Sequence, residues 1–160
     1  KVEFKARMLK NGREDKFQAE EFHDNDDLFV SFQTPTAGHV AIYLVDADKQ
    51  AFRILPYQAQ ESGSYQVRAN KRYVFFSDKD ADPQERSIVD HLYMTCERSS
   101  ELNEIYVIFS PNEFYKAVDS QVKTGLPSQL GEKDFHDWLS KCRKHDTQMA
   151  VQSYPITVKK

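Results

Sequence analysis

Apolar and polar residues alternate along most of the chain. In an extended strand, a period of two sends successive side chains to opposite faces. Val2, Phe4, Ala6 and Met8 interleave with Glu3, Lys5 and Arg7, which predicts a half-buried first strand. Asn11-Gly12 predicts a tight turn after it, because both residues tolerate positive φ. Further strands are predicted over residues 28–33, 40–45, 51–55, 65–68, 73–76, 89–96 and 105–109. The run Val40-Ala41-Ile42-Tyr43-Leu44-Val45 is apolar on both faces, as suits a central strand covered from two sides.

The separators are rich in turn formers: Thr34-Pro35-Thr36-Ala37-Gly38, Asp46-Ala47-Asp48-Lys49, Glu61-Ser62-Gly63 and Asp80-Ala81-Asp82-Pro83. Many short strands joined in this way predict a mainly β fold, an antiparallel β-sandwich (Ig-like or similar). Beyond Phe109 the pattern changes. Ser110-Pro111-Asn112-Glu113 has the order of an N-cap, a first-turn proline and a capping-box acid, predicting a short helix to about Ser120. Phe135, Trp138, Leu139 and Cys142 follow at i, i+3, i+4 and i+7. That single apolar stripe predicts a second helix packed on the sheet. A last strand over 148–159 returns to the sheet, with Pro155 pointing to an edge position.

With 160 residues, the chain is long enough for one domain with a core of its own. No linker divides it, so a single domain over 1–160 is expected. The 22 basic and 25 acidic residues give −3, which argues against a general nucleic-acid binder. No apolar run approaches the ~20 residues that cross a bilayer as a helix, so no direct membrane insertion is expected. The chain opens at Lys1 on a strand-like alternation and reads as a mature or excised piece of a longer protein.

Catalytic constellations fail one by one. There is no serine elbow and no P-loop, the five glycines being scattered. His91 and Cys96 fall at odd separation in one predicted strand and face opposite sides. Cys142 and His145 lie within one helical turn, but Cys142 belongs to the apolar stripe. At about 100° per residue, His145 sits about 60° to one side of Cys142 and His136 about 120° to the other, too splayed for zinc. No catalytic residue is therefore assigned. Cys96 and Cys142 are the only cysteines; they permit one disulfide, but buried free thiols suit them better.

Calcium is the remaining site chemistry. Asp24, Asp26 and Asp27 precede one strand, and Asp46 and Asp48 follow the next. An antiparallel arrangement places both loops at one end of the sheet. Calcium takes six to eight oxygens from such loops, whereas Asp and Asn also favour turns for purely local reasons. A third acidic loop, Asp78-Lys79-Asp80-Ala81-Asp82, stands in reserve. The basic runs near Arg68–Arg72 and Lys141–His145 read as solvated surface, the second complementing a helix C-terminus.

Several segments together are similar to a known pattern. Asp26-Asp27-Leu28-Phe29-Val30-Ser31-Phe32, a turn with Gly38, Ala41-Ile42-Tyr43-Leu44-Val45-Asp46 and Ile54-Leu55-Pro56-Tyr57 form its first part. Arg72-Tyr73-Val74-Phe75-Phe76-Ser77 and Glu104-Ile105-Tyr106-Val107-Ile108-Phe109-Ser110-Pro111-Asn112 extend it. The combination resembles the bacterial domain-of-unknown-function family 4384 over residues 20–112, with 113–160 as an appendage. The C-terminal run from Asp134 to Lys144 is similar to a narrower subgroup. The resemblance implies a module of a larger bacterial protein, often exported, in the periplasm or cell envelope. It carries over no catalytic residues. The expected role is a non-catalytic interaction or accessory module facing a protein partner, other domains of its parent chain or a glycan. The alternative is a calcium-dependent binding domain using the acidic loops.

Overall fold

A computed structural model describes residues 3–60, 64–114 and 126–160. Among these residues, ten strands and one α-helix form in order: β1 (Lys5–Lys10), β2 (Glu21–His23), β3 (Leu28–Gln33), β4 (Gly38–Val45), β5 (Gln50–Leu55), β6 (Tyr65–Val67), β7 (Tyr73–Phe75), β8 (Ser100–Ser110), β9 (Gln129–Gly131), α1 (Glu132–His145) and β10 (Ala150–Lys159). One sheet has the order β1-β3-β7 and the other β2-β10-β8-β4-β5-β9, with β6 also pairing with β4. The expected sandwich forms. Its larger sheet is mixed, because β2 runs parallel to β10.

Alternation decides which side chains meet between the sheets. Phe4 and Phe32 approach to 5.3 Å between ring centroids, and Phe109 from the larger sheet lies 6.0 Å from Phe32. Val40, Ile42, Ile105, Val107, Ile156 and Val158 complete this buried layer. Burying each such side chain stabilises the fold by about 1.5–3 kcal/mol. Gly38 opens β4 where the strands crowd: an added Cβ would lie 2.3 Å from the carbonyl oxygen of Ser110, so the approach tolerates no side chain.

The other face of the larger sheet is covered by α1. Ala41, Tyr43, Val45 and Ile108 pack there against Phe135, Leu139 and Cys142, and the Tyr43 and Phe135 rings are 5.0 Å apart. Apolar side chains on both faces of β4 thus serve two layers. The helix begins without a side-chain cap, but Glu132 and Asp134 occupy its first turn and Arg143, Lys144 and His145 its last. This charge order suits the helix dipole. Asp146 ends the helix. Its N–H donates to the Cys142 carbonyl at 3.0 Å, and its carboxylate accepts the hydroxyl of Ser110 and the N–H of Gln148 at 3.0 Å.

β10 pairs with β8 over its whole length. The C-terminal third, expected as an appendage, therefore supplies a strand between β8 and β2. Pro155 lies on a stretch that β2 has not yet joined, the parallel pairing covering only Thr157–Lys159. The Thr157 N–H points outward to the Glu20 carbonyl. Two residues earlier, Pro155 faces the same way, and its missing donor interrupts no ladder bond.

Two expectations need correction. Residues 89–96 form no strand: after a 3-10 turn over Arg86–Ile88 they run irregularly, with one bridge between Asp27 and Tyr93. Val89, Met94 and Cys96 are buried, so the segment has a strand's burial without a strand's pairing. Next, Ser110 is the last residue of β8, and 111–114 are not helical. Its hydroxyl accepts the Asn112 N–H at 3.1 Å as part of a turn; the rest of that predicted helix, like Val2 and the 61–63 turn, lies outside the described residues. β2 and β9 are additions, each too short to show an alternation.

Candidate functional site

The two acidic loops do share one end of the sandwich, joined by the segment around residues 96–101. The Asp24 carboxylate accepts the Cys96 N–H at 2.9 Å. Asp26 accepts the His23 N–H at 2.7 Å and the Asn11 side-chain amide at 2.9 Å. The other atom of that amide accepts the Asp27 N–H at 2.8 Å. Asn11, with φ of 58°, thus ties the first predicted turn to the acidic loop. The Asn11 amide, and after it the His23 N–H, hold the Asp26 carboxyl below its ordinary pKa, because both bonds favour the charged form.

Asp46 closes its own turn, accepting the N–H groups of Asp48 and Gln50 at 3.0 Å. Asp48 pairs with Arg98 at 2.8 Å, and Arg98 reaches Glu101 at 3.4 Å. A guanidinium therefore sits beside the carboxylate where a cation was expected. Among the described residues, no group of three or more His, Cys, Asp or Glu side chains converges as a metal site. The third loop turns to other partners: Asp80 to Arg13 at 3.2 Å and Asp82 to Lys71 at 3.5 Å.

The cysteines are buried and not joined by a disulfide, and the larger sheet separates them. Cys96 belongs to the layer between the sheets and Cys142 to the layer under the helix, so no disulfide forms. Burial raises both thiols, Cys96 in direction and Cys142 up to about 11. Neither is an activated nucleophile.

Serine–histidine contacts are sparse. His39 Nδ1 and Ser64 Oγ lie 2.6 Å apart. His39 is opposite Ser110 in the β4–β8 register, but Asp146 takes the Ser110 hydroxyl. No salt bridge joins an acid to His39 among the described residues.

A different surface concentrates polar groups without pairing them. Arg53, Gln58, Asp90, His91 and Ser128 line an open cleft of about 410 Å³, with Ile54 and Leu92 as its apolar part. Arg53 is held on β5 opposite Tyr43. Its N–H donates to the Ser128 carbonyl at 3.0 Å, and its Nη1 to the Leu126 carbonyl at 3.2 Å. Tyr43, donating to the Pro127 carbonyl at 2.6 Å, fixes the same backbone. The Arg53 Nε is buried and has no hydrogen-bond partner among the described residues. Nor does any salt bridge there involve Arg53, although it is half-buried.

Across the cleft, Asp90 Oδ2 accepts the Gln58 N–H at 2.7 Å. Ser128, His91 and Asp90 share this surface, but no hydrogen bond links any two of their side chains among the described residues. The arrangement can attract and orient charge, and it lacks the bonded nucleophile–base pair of acyl-transfer chemistry. Local sequence pattern does not point to this surface, since Arg53 and Asp90 come from separate segments. A charged residue set inside the apolar run Ala51–Leu55 was the one local signal.

No protein-family model matches the chain, and neither a curated protein nor a solved structure matches it.

Proposed function

We propose that the chain is a non-catalytic interaction or accessory module of a bacterial envelope or secreted protein. The observation that carries this reading is the allocation of its reactive side chains. Asp24, Asp26 and Asp46 hold backbone donors, Asp146 locks a helix end to β8, and both thiols are buried. The cleft beside β5 displays charge with no bonded nucleophile–base pair. The resemblance over residues 20–112 supports the same reading and supplies its envelope setting, with a protein, a parent-chain domain or a glycan as partner.

The test is capture of partners by the purified chain from bacterial envelope extract, read by mass spectrometry. A reproducible partner whose capture is lost on surface substitution supports the module. Turnover on a hydrolase panel, abolished by one substitution at His91, Ser128, His39 or Ser64, would overturn it.

The shared end of the acidic loops favours a second reading, calcium-dependent binding through Asp24, Asp26, Asp27, Asp46 and Asp48. Capture that disappears in chelator and returns with calcium would establish it.

A further inference from the structure

We propose that the cleft beside β5 binds a small zwitterion of the α-amino-acid type, with its carboxylate on Arg53 and its ammonium on Asp90. The proposal goes beyond the partner reading, since it concerns a small ligand and a surface of its own.

Arg53 differs from the paired arginines of the described surface. Arg7 and Arg72 share Asp15, Arg13 meets Asp80 and Arg98 meets Asp48, all with side chains about two-fifths exposed or more. Arg53 is half-buried, as Arg7 and Arg13 are, yet it has no ion pair, a single carbonyl for its head group and a buried Nε with no partner among the described residues. A guanidinium withdrawn from water without a counter-charge is unfavourable. Its planar fork is matched by a carboxylate.

The second charge narrows the ligand class. Asp90 lines the same cleft but does not close on Arg53, no pair of their charged atoms lying within 4.0 Å. Gln58 occupies one of its carboxylate oxygens, and the other has no hydrogen-bond partner among the described residues. A doubly charged phosphate would meet repulsion from Asp90. A simple carboxylate would leave Asp90 unused, and a simple amine would leave Arg53 unused. A molecule carrying both charged groups on one carbon satisfies both walls. The volume of about 410 Å³ leaves room for a side chain against Ile54 and Leu92.

The experiment is thermal-shift and calorimetric titration of the intact 160-residue chain with a panel of free L-amino acids. Matched methyl esters, N-acetyl derivatives, acetate and inorganic phosphate form the comparison arms. The expected result is saturable binding of at least one free amino acid with a rise in unfolding temperature, and at least about tenfold weaker binding of its ester and its N-acetyl form. Arg53→Gln abolishes binding without lowering the unfolding temperature. Asp90→Asn keeps an acceptor for Gln58 and weakens binding by about tenfold or more. Arg53→Lys, which keeps the charge and loses the fork, falls between wild type and Arg53→Gln.

The proposal is overturned if no amino acid binds, if the blocked derivatives bind as well as the free forms, or if Arg53→Gln binds like wild type. Phosphate binding alone would make the cleft a plain anion site and likewise overturn it. A negative titration leaves any partner capture standing, and a failed capture leaves the titration standing, so the two readings fail separately.

Discussion

Two regions of the molecule use the same residue types to opposite ends. Where β2 leads to β3 and β4 turns into β5, Asp24, Asp26, Asp46 and Asp48 each meet a donor of their own chain. Beside β5, Arg53 and Asp90 face one cleft without pairing. In the first region charge is consumed in building turns; in the second, Arg53 on β5 and Asp90 on the irregular segment each keep part of a charged head group unbonded. A cluster of charged residues in a sequence therefore says little about a site, and the count of unsatisfied groups says more.

The largest test of this contrast is Asp26→Ala. Loss of its bonds to the His23 N–H and the Asn11 amide should lower stability by about 2 kcal/mol, hydrogen bonds to charged groups being the strong ones. Urea unfolding would show it, and a change below experimental scatter would break the claim that this end is built by its carboxylates.

Acid gives the next effect. The Arg72 bond lowers the Asp15 pKa, and the Asn11 bond that of Asp26. For carboxyls lowered in the folded state, the stabilisation is present above the unfolded value and is lost as pH falls through the folded one. The urea midpoint should therefore hold down to about pH 4 and decline below it. Asp26→Asn should show a shallower decline, and an identical slope would remove Asp26 from the account.

A smaller effect is expected from Asp48→Ala, since its ion pair with Arg98 is more than half exposed on both sides. Exposed pairs contribute little to stability. The same preparation tests the metal reading: with each carboxylate's donors as described, added calcium should leave the wild-type unfolding temperature where chelator leaves it. A clear rise would show that the acidic end takes up the ion.

Smallest of all, Arg53→Met should leave stability within about 0.5 kcal/mol of wild type or raise it slightly, because replacing a half-buried charge that has no ion pair by an apolar chain is close to neutral. A loss comparable to Asp26→Ala would place Arg53 with the structural charges and erase the contrast.

Much of the fold was legible from alternation. Residues 28–33, 40–45 and 51–55 are strands within a residue or two of expectation, and the doubly apolar β4 is indeed covered on both faces. The stripe of Phe135, Leu139 and Cys142 was legible for the same reason, successive turns repeating one face. Residues 89–96 were misread because burial produces apolar spacing whether or not a neighbouring strand pairs with it. Their hydrogen bonds go instead to the β2–β3 turn: Asn25 donates to the Met94 carbonyl at 2.7 Å, and Met94 to the Asp26 carbonyl at 2.8 Å. Ser110-Pro111-Asn112-Glu113 reads as a capping box until the buried Asp146 claims its serine, a contact from far along the chain. The cleft was illegible on similar grounds. Its two charges become neighbours only after β5 and the irregular segment have packed, and local pattern carries no record of that.

The placement of the two thiols makes the molecule its own reporter. Cys96, hydrogen-bonded to the Val158 carbonyl at 3.2 Å, is sealed between the sheets, and Cys142 is sealed beneath α1. A thiol-reactive probe can reach each one only when its own layer opens. The two labelling rates would then clock two motions in one native chain, lifting of the helix and release of the irregular segment that carries Cys96, with no engineered label.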